Sequence, residues 1–545
     1  MIQIKNRLLF YQLTLSSANE AILILGSQPA TLASPAVNGY IDFFMNLLPI
    51  QDKKEYMTVT IFNTLNSRKV PLEPIEPGHV KIYVCGITAY DYCHIGHARS
   101  ALVFDMIVGY LQYLGLNVTY IRNFTDIDDK IINRAQEQNT STIALSEQFI
   151  HAFHEDMAHL GIASPTAEPK ATEHLPEIIG MIQELMAKGL AYQAGSDVFY
   201  AVEKFQPYGI LSGRSLNEMK AGARISINEN KRNPMDFALW KGSKPGEPTW
   251  ESPWGPGRPG WHIECSAMSK KYLGESFDIH GGGKDLVFPH HENEIAQSQG
   301  ASGKTFVNIW VHNGFVTIND EKMSKSLGNF LTIRDLLAQY QPEALRLFVF
   351  STHYRNPLDY SEAAMQDAVT GLDRLYTCLA EIAQITASGN PTAKPEATVK
   401  EIEKIESLTE RFQEAMNNDF NTAQALGHIF EIVKILNRIK QALPSNPATT
   451  DLDLLRKAST TIRELAGLIG LLRQEPSLYL NCQQQKILAG LDISKESIEQ
   501  LIQDRLTARR QKDWARADAI RGQLLSHNIE LKDGANGTAW SVKPG

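Results

Sequence analysis

The first clear pattern of apolar and polar positions runs from residue 58 to residue 122. Thr58–Asn63 begins a strand, and the alternating, β-branched segment Lys81–Val84 predicts a second one. Ala98–Leu114 has helical spacing, with one apolar face formed by Leu102, Met106, Tyr110 and Leu114. Asn117–Arg122 predicts the next strand. Strand, loop, helix and strand in this order indicate the βαβ unit of a parallel sheet, whose ligands bind beyond the carboxyl ends of strands, where residues 85–97 would lie.

The alternation of predicted strands and helices stops over residues 170–255 and then resumes. Because Lys241–Pro259 is rich in Gly, Pro and Trp, we interpret 170–255 as an insertion into the α/β domain. The elements expected after it are the strand Phe277–His280, a glycine turn at Gly281–Gly283, a helix from Pro289 and the strand Thr305–Val311.

Positions from about Ile333 to Leu472 follow a helical period almost throughout, with apolar stripes such as Ile429, Ile432, Val433 and Leu436. Asn390–Pro395 and Leu443–Thr450 interrupt them as linkers. A last small unit runs from about 490 to 545. The pattern therefore predicts a multidomain α/β plus all-α chain, in which a Rossmann-like parallel-sheet domain with an insertion precedes a helical bundle and a small C-terminal domain.

Residues 1–56 differ from the rest of the chain. Their periodicity is weak, and a Ser/Pro/Ala/Gly stretch around Gly26–Gly39 and a charged patch at Asp52–Glu55 precede Met57. We interpret 1–56 as a disordered tail, or as a leader translated from an upstream Met. The alternative is an appended functional arm.

Composition narrows the class of protein. A chain of 545 residues corresponds to about three to five domains. A formal charge of −8 excludes a nucleic-acid binder coated in positive charge, although not one with local basic patches. Five widely spaced cysteines indicate reduced thiols in a cytoplasmic setting rather than a disulfide scaffold. The longest uncharged stretch, Ala21–Ile41, is too polar to span a bilayer, so no membrane partner is expected.

The first candidate chemical motif is His94-Ile-Gly-His97, between the predicted strand and helix. Gly96 has no Cβ, so a base or a phosphate can lie against the backbone there. The helix N-terminus adds positive partial charge, and two imidazoles can donate hydrogen bonds to phosphate oxygens as charge develops. The alternative is that His94 and His97 only cap the helix.

The second motif is Lys322-Met-Ser-Lys-Ser326, in a turn-prone stretch. Lys322 and Lys325 on a loop suit a triphosphate, because their charges could follow pyrophosphate as it leaves. A lone lysine pair is more often a solvated surface. Its occurrence together with the first motif favours the functional interpretation.

A third group of side chains could bind a metal at the ends of the sheet. The candidates are thiols, imidazoles and one carboxylate, namely Cys85, Cys265, His262, His280, His290, His291 and Glu294. His290 and Glu294 are four residues apart on the helix expected from Pro289, so they would share a face. Such mixed ligands suit Zn²⁺. The alternatives are a buried core thiol at Cys265 and a surface helix end at His290–His291.

Together these strings resemble a known family. HIGH at 94–97 and KMSKS at 322–326 resemble a class I aminoacyl-tRNA synthetase. The longer strings, covering the chain from about Met57 onward, are similar to cysteinyl-tRNA synthetase. These are VCGITAYDYCHIGH at 84–97, NFTDIDDK at 123–130, GWHIECSAM at 260–268, FDIHGGGKDL at 277–286 and PHHENE at 289–294.

The resemblance implies specific roles. The ligands of one Zn²⁺ per chain would be Cys85, Cys265, His290 and Glu294, and the ion would bind the thiolate of the substrate cysteine. ATP with Mg²⁺ would be the second substrate, contacted by His94, Gly96, His97, His280, Gly281 and Lys325. His94, His97, Lys322 and Lys325 would be catalytic, and Gly86, Thr125 and Trp261 would contact the amino acid. The reaction would proceed through cysteinyl-adenylate to charged tRNA.

The same resemblance implies a domain plan and a tRNA partner. The catalytic domain would comprise 57–169 and 256–335, with 170–255 as a connective insertion, 336–400 as a stem-contact region, 401–475 as a helical bundle and 490–545 as an anticodon-binding domain. Asp504–Arg521 has six basic and three acidic residues. The expected tRNA contacts are Arg509, Arg510, Trp514, Arg516 and Trp540. A cytoplasmic monomer is typical of the family.

Two other functions need consideration. A synthetase-derived ligase that joins cysteine to an amino-sugar would lack the anticodon-binding end, and residues 500–541 argue against it. A non-catalytic tRNA-binding paralogue would have lost HIGH, KMSKS or the ligand set, and all three are intact. Cys93, Cys378 and Cys482 have no predicted role.

Overall fold

The structure is a computed structural model that describes residues 13–15, 21–25, 28–31, 58–214, 231–323, 329–385, 388–489, 493–534 and 537–542. The chain separates into two units, Met1–Tyr56 and Met57–Gly545. In the first unit three short strands, β1 (Leu13–Leu15), β2 (Ala21–Leu25) and β3 (Gln28–Thr31), form an antiparallel sheet. The rest of 1–56, on which the prediction of disorder falls, lies outside the described residues.

The second unit begins with the predicted α/β domain. Its first elements are β4 (Thr60–Asn63), β5 (Arg68–Pro71), β6 (His79–Thr88), α1 (Ile95–Tyr113), β7 (Asn117–Thr125), α2 (Asp129–Glu137) and α3 (Thr142–His159). The apolar face of α1 is buried as its spacing predicts, because Leu102, Met106 and Tyr110 are inaccessible to solvent. Residue 115 is a glycine with φ +85°, a left-handed conformation that favours the end of the helix there.

The described residues 175–214 and 231–259 form an antiparallel layer, at the place predicted for the insertion. It contains α4 (Leu175–Ala187) and the sheet of β8 (Ala191–Ala194), β9 (Asp197–Tyr200), β10 (Phe237–Gly242) and β11 (Gly257–Pro259). Leu239 and Trp240 belong to an apolar core that this layer shares with Ile263 and Ala296 of the following helices.

The parallel sheet then resumes with α5 (Trp261–Leu273), β12 (Phe277–Gly283), α6 (Glu292–Ser302) and β13 (Val307–Asn313). Its strand order is β13-β12-β6-β7, with every pair parallel. This confirms the predicted parallel-sheet domain and places the carboxyl ends of β6 and β12 side by side.

One local prediction in this region is wrong. Gly281–Gly283 is not a turn but the end of β12, paired with Val311–Asn313 of β13. The helix expected from Pro289 is observed. Val287–His291 forms a wide turn in which Phe288 alone has backbone angles outside the helical range, and the helical conformation continues from Pro289 into α6 (Glu292–Ser302).

The helical part follows a short sheet. β14 (Val316–Ile318) and β15 (Glu321–Lys322) form a hairpin, and β16 (Leu358–Tyr360) pairs parallel with β14. The helices around and after them are α7 (Ile333–Gln339), α8 (Pro342–Phe350), α9 (Glu362–Ala383), α10 (Val399–Glu406), α11 (Leu408–Asn417), α12 (Thr422–Ala442), α13 (Thr449–Leu468) and α14 (Pro476–Ala489). Strand β16 is the element that the helical period did not predict.

The last elements have a small core of their own. They are α15 (Lys495–Arg510), α16 (Trp514–Ser526), β17 (Ile529–Gly534) and β18 (Gly537–Val542), packed around Ile498, Leu524 and Ile529. Among the residues that the structure describes, no helix combines the length and the apolar character needed to cross a bilayer.

Candidate active site and metal centre

The two histidines of the first motif form a reciprocal cap at the start of α1. The ring Nδ1 of His94 accepts the backbone N–H of Gly96 at 3.0 Å, and the ring Nδ1 of His97 accepts the backbone N–H of His94 at 3.2 Å. Their rings stack with centroids 3.8 Å apart. Because Nδ1 of each ring is an acceptor, the neutral rings carry their proton on Nε2. Burial and the neighbouring His94 lower the pKa of His97 well below its usual value.

The lysine motif lies against this cap. The backbone of Lys322 belongs to β15, and the methyl carbon of Met323 is 3.9 Å from where a Cβ on Gly96 would be. After the motif, the backbone N–H of Ile95 donates to the carbonyl of Leu331 at 3.1 Å, so the two segments pair. Ser324–Ser326, including the predicted ATP contact Lys325, lies outside the described residues.

Four of the candidate metal ligands meet beside the ends of β6 and β12. Cys85 comes from β6, Cys265 from α5, His290 from the wide turn before α6, and Glu294 from α6 itself. Their donor atoms all lie within 4.8 Å of one another. The sulfurs of Cys85 and Cys265 are 3.7 Å apart, the Cys85 sulfur is 3.4 Å from Glu294 Oε1, and His290 Nε2 is 3.2 Å from the same oxygen.

These separations fit a tetrahedral ion. With Zn–S at about 2.3 Å and Zn–N or Zn–O at about 2.0–2.1 Å, two sulfurs lie about 3.8 Å apart, and two N or O ligands about 3.4 Å apart. A second set, Cys85, His280, His291 and Glu294, meets the same distance limit. The first set has the additional thiol of Cys265, which makes it the softer and more zinc-like of the two.

Further histidines surround these donors. The Nδ1 atoms of His262 and His290 are 2.8 Å apart, and His291 Nδ1 is 2.8 Å from His312 Nε2. Burial lowers the pKa of both His262 and His312 to about 3, so both rings are neutral at physiological pH. Neutral imidazoles can orient the ligand side chains by hydrogen bonding. Sequence reasoning missed His312, which is recognisable only from the pairing of β13 with β12, where it lies beside Gly282.

The residues expected to contact the amino acid surround the same centre. The Trp261 ring begins α5, is 36% exposed, and lies 4.3 Å from the His290 ring. Thr125 is buried, and its hydroxyl donates to Glu264 Oε2 at 2.9 Å. Gly86 has no room for a side chain, because a Cβ there would lie 1.6 Å from the carbonyl oxygen of Asn123. Sequence reasoning missed Glu264, although it directly precedes Cys265.

The predicted contacts with adenosine fall on two residues, His280 and Gly281, that pack inside the domain. His280 is fully buried, and its Nε2 is 2.9 Å from Glu294 Oε2, so it lies behind the metal ligands. Gly281 is buried as well, and a Cβ there would lie 2.2 Å from the Phe104 ring. Packing against α1 therefore explains this glycine without a nucleotide.

The predicted tRNA contacts in the last unit differ in their surroundings. Arg510, Trp514 and Arg516 are exposed. Arg509 donates to Asp533 at 2.6 Å, so part of its charge is neutralised within the unit. Trp540 is partly buried and packs against the apolar core of the unit.

Comparison with known proteins agrees with this geometry. The family model described as "tRNA synthetases class I (C) catalytic domain" matches residues 71–370, and the model described as "DALR domain" matches residues 411–473. The second match falls on the helical bundle, before the last small unit. The cysteine–tRNA ligase of Desulfotalea psychrophila is 63% identical over 486 residues, which cover 89% of this chain and 99% of that protein. The corresponding protein of Geotalea uraniireducens is 55% identical over 495 residues, covering 89% and 100%.

Solved structures share the fold at low sequence identity. Mycobacterium tuberculosis methionyl-tRNA synthetase in complex with methionyl-adenylate superposes with a TM-score of 0.56 at 16% identity. The match covers 76% of this chain and 94% of that one. At this identity the likeness concerns the fold alone, and it agrees with the parallel-sheet domain and the helices that follow.

Proposed function

Because the chain belongs to the cysteine–tRNA ligase family of class I aminoacyl-tRNA synthetases, which use ATP to join cysteine to tRNA, we propose that it works through cysteinyl-adenylate and selects cysteine with a zinc ion. The observation that carries the zinc proposal is the convergence of the donor atoms of Cys85, Cys265, His290 and Glu294, all within 4.8 Å of one another. The substrates are then L-cysteine, ATP with Mg²⁺, and the cysteine tRNA.

The metal set explains how cysteine and serine can be distinguished. Serine differs only by oxygen in place of sulfur, and a hydrogen-bonding pocket separates such similar groups poorly. Zn²⁺ held by these four residues supplies a thiophilic centre that prefers a thiolate to a hydroxyl that stays protonated. Trp261, beside His290, would then cover the substrate side chain. The buried hydroxyl of Thr125 and the backbone at Gly86 would orient the amino and carboxylate groups.

The paired histidines support adenylate formation. With each Nδ1 engaged by the backbone, His94 and His97 can donate Nε2–H to phosphate oxygens at the N-terminus of α1. The cysteine carboxylate would attack the α-phosphate in line and release pyrophosphate, whose charge Lys322 and Lys325 would follow. The tRNA terminal hydroxyl would then attack the acyl carbon, so that an ester forms, the bond to the phosphate oxygen breaks and AMP leaves. Neither step needs a covalent intermediate on the enzyme, because positioning and electrostatics supply the catalysis.

The remaining parts of the chain would serve tRNA. We expect 336–400 to contact the acceptor stem, 401–475 to form the supporting bundle and 490–545 to read the anticodon. Arg510, Trp514 and Arg516 are the exposed candidates, by phosphate contact and base stacking. The five cysteines are free thiols, consistent with a reducing cytoplasm, and we expect a monomer.

Cysteine-dependent exchange of pyrophosphate into ATP, followed by tRNA charging, tests this function. The intact protein should perform both reactions with one zinc per chain. Exchange without charging would contradict the tRNA ligase function, and an absence of exchange would contradict cysteine activation.

A substitution pair isolates the metal. Cys265→Ser should lose zinc and exchange activity together, whereas Cys378→Ser should keep both, because Cys378 is a buried thiol of helix α9 outside the donor set. A metal-free Cys265→Ser protein that activates cysteine at the normal rate would refute the zinc proposal.

A further inference from the structure

Arg99 is a buried arginine on α1, two residues after the second histidine of HIGH. Its side chain is inaccessible to solvent, and among the described residues no carboxylate forms an ion pair with it. Burial lowers the pKa of Arg99 to about 10, so the guanidinium is still charged at neutral pH. A buried charge without a counter-ion is costly unless hydrogen bonds compensate it. The identity of those hydrogen-bond acceptors indicates what the residue does.

All three acceptors of Arg99 are backbone carbonyls that lie just before β14 or β16, and β14 forms a hairpin with β15, the strand that contains Lys322. Nη1 donates to the carbonyl of Phe315 at 2.7 Å, and Nη2 donates to those of Tyr354 at 3.1 Å and Asn356. Phe315 directly precedes β14, and Tyr354 and Asn356 precede β16. The guanidinium therefore joins the starts of two strands that pair with each other.

These two chain segments are also joined directly. The N–H of Gly314 donates to the carbonyl of Tyr354 at 2.9 Å, and the N–H of Leu358 donates to that of Phe315 at 2.9 Å. A Cβ on Gly314 would lie 2.2 Å from the carbonyl oxygen of Asn356, so the segments touch without space for a side chain. β15, which contains Lys322, pairs with β14 on its other side. A displacement at Phe315 would therefore pass directly to the lysine motif.

The chain after the lysine motif is attached to the same helix by a different contact. The N–H of Ile333 donates to the carbonyl of Cys93 at 2.9 Å, and Ile95 donates to Leu331 at 3.1 Å. The lysine motif thus lies in the sequence between two points of attachment. Phe315, before the motif, is bound by Arg99 of α1, and Leu331 and Ile333, after it, are bound by Ile95 and Cys93 at the start of α1. One attachment is backbone pairing, and the other includes the three side-chain hydrogen bonds of Arg99.

We infer that Arg99 is a positioning residue for cysteine activation, which fixes the base of the β14–β16 pair on α1 and thereby sets where the lysine motif stands relative to His94 and His97. This inference rests on the proposed function of the lysine motif. Lysines that follow departing pyrophosphate act mainly in the transition state, so their misplacement lowers kcat more than it weakens binding of ATP. Zinc and cysteine bind elsewhere on the sheet and should be unaffected.

The first test compares Arg99→Lys with Arg346→Lys in steady-state pyrophosphate exchange. Lysine keeps the charge but cannot reach three carbonyls in a planar fork. Because displacements of about 1 Å can cost 100-fold in rate, we expect kcat to fall by about 10- to 100-fold, with zinc content and KM for cysteine unchanged. Arg346 is the control, since it is also a buried arginine; it forms an ion pair with Asp105 of α1 and donates to the carbonyls of Leu160 and Gly161, away from the hairpin. Arg346→Lys should keep the normal kcat per folded molecule, and an equal loss in both variants would overturn the inference.

A double-mutant cycle with Lys325→Ala identifies the route of the effect. If Arg99 acts through the lysine motif, adding Arg99→Lys to Lys325→Ala should lower kcat much less than it does alone. Multiplicative losses would overturn the inference. A normal kcat in Lys325→Ala alone would instead refute the proposed role of the lysine motif, so the two failures are distinguishable.

A second variant covers the case in which Arg99→Lys does not fold. Gly314→Ala keeps the arginine but forces Gly314 away from Asn356, which separates the two carbonyl-bearing segments. It should show the same loss of kcat, the same retention of zinc, and the same non-additivity with Lys325→Ala. Normal exchange by folded Gly314→Ala would overturn the inference.

Discussion

Gly86 is the position at which a single methyl group should have the largest consequence for the metal centre. It lies in β6, where the register with β7 shifts between Val84 and Ile87, and its N–H donates to Asn123 Oδ1 at 2.9 Å. A Cβ at Gly86 would lie 1.6 Å from the Asn123 carbonyl oxygen and 2.7 Å from the carbonyl carbon. The two strands are therefore close enough at this point to admit only a hydrogen atom.

The size of the effect follows from what the methyl group meets. Real Cβ contacts are essentially never shorter than 3.0 Å, and the obstacle is backbone, which cannot rotate away. Overpacking in a well-packed interior typically costs about 1–3 kcal/mol, and we expect Gly86→Ala to reach the upper end of this range. Since the strands must separate beside Cys85, its sulfur should also move away from Glu294, and zinc affinity should fall.

Urea unfolding followed by circular dichroism, with zinc content measured on the folded protein, checks this expectation. Gly427→Ala is the matched control, because Gly427 lies within the exposed face of α12 and a Cβ there has no neighbour within 4 Å. That variant should be more stable than the parent by about 0.5–1 kcal/mol, the helix propensity difference between glycine and alanine. Wild-type stability and zinc content in Gly86→Ala would refute the close approach of the two strands.

Three other results are expected. Burial lowers the pKa of His312 from about 6.5 in the unfolded chain to about 3 in the folded protein, so below pH 6.5 the unfolded chain gains a proton that the folded protein does not, and the free energy of unfolding decreases as the pH is lowered. Between neutral pH and pH 5, the free energy of unfolding in urea should therefore decrease by about 2 kcal/mol less in His312→Gln than in the wild type. Asp419 is buried and accepts hydrogen bonds from Tyr354, Arg355 and the N–H of Phe62. Asp419→Asn, in which asparagine tolerates the same positive φ, should lower the free energy of unfolding by about 2 kcal/mol, and an unchanged urea midpoint would contradict the stabilising role of these hydrogen bonds. Trp514→Ala should raise KM for tRNA in charging but leave pyrophosphate exchange intact, and a loss of exchange would contradict a role in tRNA binding alone.

The elements that depend on local spacing could be predicted from the sequence. The helix expected at Ala98–Leu114 is observed at Ile95–Tyr113, because its apolar face follows the helical period. Its start is three residues earlier, since His94 and His97 cap it reciprocally through their rings. No simple capping signal of serine, threonine, aspartate or asparagine marks that boundary.

The failures occurred where tertiary contacts outweigh local preference. Gly281 and Gly282 suggested a turn, but a Cβ on Gly281 would meet Phe104 and one on Gly282 would lie 3.0 Å from the His291 ring. These glycines are required by packing rather than by backbone conformation, and the strand continues through them. Similarly, β16 is only three residues long and exists because β14 lies beside it.

The predicted site residues show the same division. The sequence by itself determined which side chains are chemically able to bind zinc and phosphate, because donor type and local spacing are properties of the chain. It left His262, His280 and His291 as further imidazole candidates beside His290. Only the tertiary structure brings Cys85 within 3.7 Å of Cys265, 180 residues later, and buries His280 behind Glu294. A metal site is defined by distances of a few ångströms between donor atoms, and such distances arise from the packing of β6, α5 and α6 rather than from any local period.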